Sequence, residues 1–459
     1  MKWQPHFAVK EMFDAAGHIT SEQTLAVERL PVAVELSLTG GSLMRAHQCA
    51  ARRVHLDGVS ITALAVAQGN TVHLYGIEYD GTQLTPSRIS DRKSGDGDPA
   101  SSQGAQAATH TGPVQHLGLG SWMEFVDDDS QASHGSGSMA GGVRTWGVVS
   151  LGADHAVCLW NVVDGQPLEC MGGASAAHDE DVHTGPVTAG CYIPFRSPAG
   201  TVKAAYWTAG EDSTMRAWSL MDGYQTRDMR LTVPGLPTCM GAIEVLHPLE
   251  EANGEEGGGE PAMLTIVATG TSAGRVEMRN FAEASVHCAL NDGVLPAAVR
   301  SIVGVWWARE GVSAEQASTQ RGARFVCDRG LAMLCEDCHD IFVYKPSTEH
   351  MLCTLGGHEF PVVGMCMVYP PCPPSSDAGQ MWGCDLASTA TAQLSRLASL
   401  DSSGQIRLWD LGTGACERAA QLVCASDAQF VGLSGAALAG GGFLLAASTT
   451  DSIELVTLR

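Results

Sequence analysis

The segment VVSLGADHAVCLWNVVDG, residues 148–165, returns in altered form as YWTAGEDSTMRAWSLMDG, residues 206–223, and as RLASLDSSGQIRLWDLGTG, residues 396–414. Each copy runs from an apolar and small stretch through a short polar turn. It then enters a second stretch that alternates apolar and polar residues up to Trp160, Trp218 or Trp409. Successive side chains of a strand point to opposite faces, so alternation with a period of two, broken by Gly, Asp and Ser, describes antiparallel strands joined by tight turns. Another turn follows each Trp, at Asp164-Gly165, Asp222-Gly223 and Gly412-Thr413-Gly414, and starts a further strand.

A His and an apolar run precede each copy: HTGPV at residues 110–114, HTGPV at residues 183–187 and GHEFPV at residues 357–362. The unit is therefore four strands opened by a His. Weaker copies fill the rest of the chain, with Tyr75, Arg279 and Tyr344 at the Trp place, and a last one, from Phe443, ends with the chain after its third strand. With its Gly-His at residues 357–358 and Trp-Asp at residues 409–410, the repeat resembles the WD-repeat family. The resemblance implies an all-β fold, a single seven-bladed WD40-type β-propeller over residues 1–459. Its blades are expected to begin near residues 31, 110, 183, 236, 297, 358 and 429. The ring would be closed by an N-terminal strand within residues 1–30, for which His6 to Phe13 is available.

In that family a His, a Ser or Thr, a turn Asp and the Trp form a hydrogen-bonded chain across a blade. Carried over, the sets are His110, Ser150, Asp154 and Trp160 in the second unit, and His183, Thr208, Asp212 and Trp218 in the third. The sixth has His358 and Trp409 but Ser403 at the expected turn-Asp place, with Asp401 two residues earlier, so its network reads as incomplete or rearranged. The other units lack the His, the Trp or both and are expected to rest more on apolar packing. The residue types match hydrolytic Ser-His-Asp triads. Recurrence at one place in a repeat, with the Ser inside a strand, favours a structural role instead.

The sharpest chemical signal is Cys335-Glu-Asp-Cys338-His339, which fits the C-x-x-C-H haem-attachment spacing and falls in the turn between the second and third strands of the fifth unit. Two turn cysteines and a His in place of the usual Gly is the plainer reading. A zinc site using Cys335, Cys338 and His339, or a redox-sensitive thiol pair, is the alternative, although no second Cys/His pair at finger-like spacing follows. No phosphate-binding G-x-x-x-x-G-K-[ST], no H-E-x-x-H and no G-x-S-x-G occurs, so no cofactor or small-molecule substrate is expected. Trp306-Trp307 offers one ring for the core and one for the surface, because neighbours in a strand face opposite ways.

The chain has 459 residues with 27 Lys and Arg against 50 Asp and Glu, a formal charge of −23, which disfavours direct nonspecific nucleic-acid binding. Hydrophobic residues reach 44%, enough for a core, yet no apolar run approaches the ~18 residues that cross a bilayer, and no secretory leader is read at the N-terminus. The 15 cysteines are irregularly spaced and often sit in strand-like runs, so they read as buried thiols in a reducing compartment, cytoplasmic or nuclear. Surplus length lies in Gly-, Ser- and acid-rich insertions: 127–142, 247–262, 309–321 and 370–393, each between first and second strands and so gathered on one rim, and 91–108 toward the other face.

The expectation is a noncatalytic scaffold for protein–protein interaction in an intracellular complex, with a basic segment or subunit as the complement of its acidic loops. By resemblance, docking falls at the central opening on the face of the second-to-third-strand turns, where His155, Glu211 and Ser402 stand. Alternatives are a noncatalytic partner of an RNA-modifying enzyme, which usually presents a basic patch, and a ubiquitin-ligase substrate receptor. Receptors of that kind often carry an Arg soon after the Trp-Asp pair, and here the runs are WNVV, WSLM and WDLG. A third is a metal- or redox-dependent propeller built on the Cys335, Cys338 and His339 cluster.

Overall fold

The computed structural model describes residues 27–32, 34–37, 49–56, 59–89, 110–124, 143–162, 165, 167–172, 182–196, 202–219, 225–246, 263–281, 283–290, 294–308, 327–368, 396–423, 429–438 and 442–458. The expected closing segment His6 to Phe13 and the five insertions lie outside them. Two strands come first, β1 (Val27–Pro31) and β2 (Val34–Ser37). Blade one is β3 (Cys49–Leu56), β4 (Val59–Gln68), β5 (Thr71–Tyr79) and β6 (Leu84–Arg88); blade two is β7 (Val114–Glu124), β8 (Val143–Gly152), β9 (Ala156–Asn161) and β10 (Pro167–Gly172). Blade three is β11 (Val187–Arg196), β12 (Val202–Gly210), β13 (Thr214–Ser219) and β14 (Gln225–Arg230); blade four is β15 (Pro237–Leu246), β16 (Met263–Thr271), β17 (Val276–Asn280) and β18 (Val286–Leu290). Blade five is β19 (Val299–Ala308), β20 (Cys327–Cys335), β21 (Ile341–Lys345) and β22 (His350–Leu355). Blade six is β23 (Val362–Val368), β24 (Arg396–Asp401), β25 (Gln405–Asp410) and β26 (Ala415–Val423), and blade seven has β27 (Phe430–Ala437), β28 (Phe443–Thr449) and β29 (Ser452–Leu458).

The strands of each blade pair antiparallel in chain order, and the first strands touch one another in a closed series from β3 through β27 and back to β3. This is a seven-bladed β-propeller with the first strands around its axis. Seven separate apolar cores fill its seven seams. The alternation within a single strand shows why: in β20, Leu331 and Met333 pack toward blade four, while Ala332 and Leu334 pack toward blade six. In β8, Val148 faces blade one and Val149 and Leu151 face blade three. Each blade thus needs a neighbour on both sides, as an apolar sheet face must be covered. Trp306 and Trp307 both pack at the blade five to six seam, Trp307 buried and Trp306 half-buried.

Six blades carry a register shift directly after the first residue of the inner strand, as at Val187/Ala189 and Pro237/Cys239. In three of them the extra residue turns toward a following blade. Thr188 Oγ1 donates to the Pro237 carbonyl at 2.7 Å, the Thr238 hydroxyl donates to the Val299 carbonyl, and Arg300 Nη2 reaches past blade six to the Val431 carbonyl at 2.9 Å. Bulges re-aim a side chain in this way.

Closure of the ring differs from the reading of residues 1–30. The fourth strand of blade seven is β2, antiparallel to β29 with Leu36 opposite Ile453, so the closing residues lie beyond 30. Strand β1 instead adds a fifth, parallel strand to blade six, from Val27 opposite Ala419 to Pro31 opposite Val423. Blade one therefore begins at Cys49 and not near Pro31. The cause is local: 27–31 and 34–37 alternate as any strand does, and only the open outer edges of β26 and β29 decide where they pair.

Deleting residues 27–37 uncovers both edges. The expected outcome is a loss of about 2–4 kcal/mol in urea unfolding and self-association on size exclusion. An unchanged midpoint would mean that β2 does not hold the ring shut.

Candidate functional site

Strands alternate in direction, so the second-to-third-strand turns and the connections between blades emerge on one face. One backbone bond recurs there. The first turn residue donates its N–H to the residue before the inner strand: Ala153 to Pro113, Glu211 to Pro186, Ser272 to Leu236, Glu336 to Ala298 and Ser402 to Pro361, all at 2.8–2.9 Å. The turns then close by N–H donation from His155 to Gly152, Ser213 to Gly210, Gly274 to Thr271 and Gly404 to Asp401. These closing residues have φ of 68°, 62°, 71° and 91°. Two of them, His155 and Ser213, hold the left-handed conformation without being Gly, a state that persists only where its surroundings impose it.

Buried side-chain networks supply that constraint in three blades. In blade two, Trp160 Nε1 donates to Ser150 Oγ at 2.7 Å, Ser150 Oγ meets His110 Nε2 at 2.7 Å, and His110 Nδ1 meets Asp154 Oδ1 at 2.9 Å. A neutral imidazole with its proton on Nδ1 satisfies every member: the Ser hydroxyl donates to Nε2 and accepts from the indole. The second Asp154 oxygen accepts the Thr111 N–H at 2.7 Å, tying the turn to the inter-blade connection. A Cβ at Gly152 would overlap both the Asp154 carboxylate and the His110 ring, so the network closes only over a Gly. Blade three repeats the arrangement: Trp218 Nε1 to Thr208 Oγ1 at 2.8 Å, Thr208 Oγ1 to His183 Nε2 at 2.7 Å, and His183 Nδ1 to Asp212 Oδ2 at 3.0 Å.

Of the two outcomes drawn from Ser403, blade six is rearranged and not incomplete. Trp409 Nε1 donates to Ser399 Oγ at 2.8 Å, Ser399 Oγ meets His358 Nε2 at 2.7 Å, and His358 Nδ1 meets Asp401 Oδ2 at 2.9 Å. Asp401, the last residue of β24, serves as the carboxylate. Ser403 donates both its N–H and its hydroxyl to the other Asp401 oxygen. Arg407 also lies over the Trp409 ring, 5.9 Å from its centroid.

Blade four was expected to rely on apolar packing, yet it holds a buried ion pair. Arg279 Nε donates to Glu277 Oε1 at 2.5 Å, and the other Glu277 oxygen accepts the Thr232 and Val233 N–H groups at 2.6 and 3.2 Å. Arg279 also donates to the Ala284 and Arg230 carbonyls at 2.8 and 2.7 Å. Position 279 stands opposite Val267 as Trp160 stands opposite Val148, so the pair pins the same connection by different chemistry. The readable signal is Glu-x-Arg in β17, two residues apart and on one face of the strand.

Burial alone would raise the Asp154 and Asp212 carboxyls, but the bonds from His110 and His183 and from backbone N–H groups outweigh it and hold both well below the ordinary carboxylate range. Asp401 is lowered in the same way by His358 and Ser403. Burial lowers His358 despite the opposing pull of Asp401, and burial pushes His116, in β7, down to about 4.

His155, Glu211 and Ser402 stand in the turns of blades two, three and six, and no hydrogen bond joins them among the described residues. His155 is half-buried with its Nδ1 atom buried and without a hydrogen-bond partner; Glu211 is exposed and Ser402 half-buried. Cys335 is buried at the end of β20, Cys338 is half-buried, and both are free thiols. His339 Nδ1 donates to the His358 carbonyl at 3.2 Å. Among the described residues no three His, Cys, Asp or Glu side chains group as a metal would require. Burial raises both thiols, Cys335 to about 12, which disfavours the thiolate that metal binding or oxidation needs.

The cysteines are not all thiols. Cys158 and Cys170 form a disulfide between β9 and β10, where they are register partners with Cα atoms 4.1 Å apart. The sequence places them 12 residues apart, a separation that shows pairing only once the hairpin register is known. No helix among the described residues is long and apolar enough to cross a membrane. No family model matches the chain, and no curated protein matches it either.

Two measurements test the networks. Ser150→Ala leaves the His110 and Trp160 nitrogens unpaired and should cost about 2–4 kcal/mol of stability, and Asp401→Ala a similar amount, whereas Ser403→Ala should cost under about 1 kcal/mol.

The second is pH. An unfolded His binds its proton near 6.5, and the folded His116 refuses it until about 4. Stability should therefore hold above pH ~6.5, fall as pH drops toward 4, and fall again below that as Asp154, Asp212 and Asp401 protonate. Urea midpoints across this range should show both limbs, with His116→Gln shrinking the first and leaving the part that His358 contributes.

Proposed function

We propose that this protein is a WD-repeat-type propeller acting as a noncatalytic scaffold, a subunit of a protein complex in the cytosol or nucleus. The observation that carries the reading is the pinned face. Turns and inter-blade connections are fastened by the recurring backbone bond in five blades and locked from below by buried networks in blades two, three, four and six. A surface of fixed loops loses little conformational freedom on docking, which is what a scaffold requires.

The noncatalytic part rests on accessibility. His110, Ser150, His183, Thr208, His358 and Ser399 are each at most 5% exposed, and each hydroxyl is engaged by an indole. A nucleophile in that state meets no substrate. The charge of −23 favours a protein partner with a basic segment over nucleic acid. Nine free thiols among the described residues accord with a reducing compartment, the Cys158–Cys170 disulfide notwithstanding.

The test is purification of the tagged chain from its own cells at native level, followed by cross-linking mass spectrometry. A stoichiometric subunit cross-linked to the turns or inter-blade connections is the expected result. Recovery of the chain alone, as a monomer, would overturn the scaffold reading.

A further inference from the structure

Six large apolar side chains are more than 40% exposed among the described residues. Leu168, Val286 and Leu352 are scattered on the outer strands of three blades. The other three share one face. Leu236 (45%), Val294 (42%) and Phe360 (49%) lie in the connections that lead into blades four, five and six, three consecutive blades on one face. The connections into blades two and three carry only Thr, Gly and Pro at the corresponding places, Thr111 to Pro113 and Thr184 to Pro186, so exposure of large apolar groups is not a general property of this face.

Hydrogen bonds and one close backbone approach link the connections that carry these positions. Leu236 exchanges backbone bonds with Ser272, accepting its N–H at 2.8 Å and donating to its hydroxyl at 3.0 Å. The same turn reaches Gly274, where an added Cβ would lie 2.8 Å from the Ala297 carbonyl in the connection that holds Val294. That connection accepts the Glu336 N–H on Ala298, and the Glu336 to Asp340 turn in its turn fixes blade six, the Cys338 carbonyl accepting the Val362 N–H at 2.9 Å and His339 bonding the His358 carbonyl at 3.2 Å. Phe360 stands two residues on from His358.

The charges along this arc are unbalanced. Glu336, Asp337 and Glu359 are exposed, and none of the three is in an ion pair among the described residues. The nearby cations are otherwise placed: Arg300 donates to the Val431 carbonyl, Arg275 is half-buried, and Arg407, whose guanidinium lies beside Gly357, is half-buried with its Nε on Gln405 and its head over the Trp409 ring. Rigid apolar groups set among free carboxylates match a segment that offers apolar anchors flanked by Lys or Arg, each side supplying what the other lacks.

We infer that the arc from Leu236 through Val294 to Phe360 is a docking site for a basic peptide segment of a partner protein, its large apolar side chains seated on these three residues and its cations facing Glu336, Asp337 and Glu359. This rests on the scaffold reading and deepens it: it moves the contact away from the axis, to blades four to six, and names the chemistry of the partner.

The experiment selects a displayed library of short random peptides on the purified full chain, then measures the winners by fluorescence anisotropy against Phe360→Ser and against Glu336→Lys/Glu359→Lys. Both variants alter exposed side chains, and unchanged thermal unfolding confirms that they fold. The expected winners carry net positive charge and at least one large apolar residue. They lose about tenfold or more in affinity on either variant, and their binding to wild type weakens as salt rises. Winners that are acidic, or that bind both variants as well as wild type, overturn the proposal, as does the absence of any winner. If native-cell cross-linking finds a stoichiometric subunit while the winners ignore the arc, the scaffold reading stands and this site falls. Arc-dependent winners with no native subunit would instead unseat the scaffold reading.

Discussion

A blade of this protein has two apolar faces and can cover neither, so every other feature depends on the ring being closed. The seven seam cores make that dependence concrete. The last of them joins Leu444, Ala446 and Leu455 of blade seven to Leu64, Val66 and Ile77 of blade one, residues nearly the whole chain apart. Those contacts form only after both ends of the chain arrive at the same place, and loop closure over such a length is opposed by chain entropy. The pairing of β2 with β29 latches the closure by backbone hydrogen bonds, since a segment that precedes blade one in the chain then completes blade seven.

A closed ring also fixes what the faces can be. With seams packed to near-zero exposure, what varies between blades is how the described turns and connections of one face are held. The same mechanical task, holding the inter-blade connection against the second turn, is done by an imidazole and an aspartate in blades two, three and six and by a glutamate and an arginine in blade four. Satisfied buried polar groups are demanding of geometry, and here that demand sets loop positions directly under the surface proposed to meet a partner.

Much of this was legible in the residues. Alternation, turn dipeptides and the returning Trp reveal four-stranded antiparallel units, and counting the units leads to seven blades. Two features escaped a reading by position. Asp401 lies two places short of the expected turn aspartate, yet from the last position of β24 its carboxylate reaches His358 Nδ1. Residues 27–37 read as strand equally well anywhere, and neither their composition nor their alternation says that they divide between blades six and seven.

What the sequence by itself determined is periodicity: which residues are strand, which are turn, which side chains share a face, and how often the pattern returns. Those follow from covalent geometry and from apolar placement along one segment at a time. What only the tertiary structure decided is adjacency: the Cys158–Cys170 bond, the reach of Glu277 to Thr232, and the placing of the connections that carry Leu236, Val294 and Phe360 on one face of three consecutive blades. Each depends on strand register or on blade order, which are set by how strands pair and sheets stack and not by how a single strand is written.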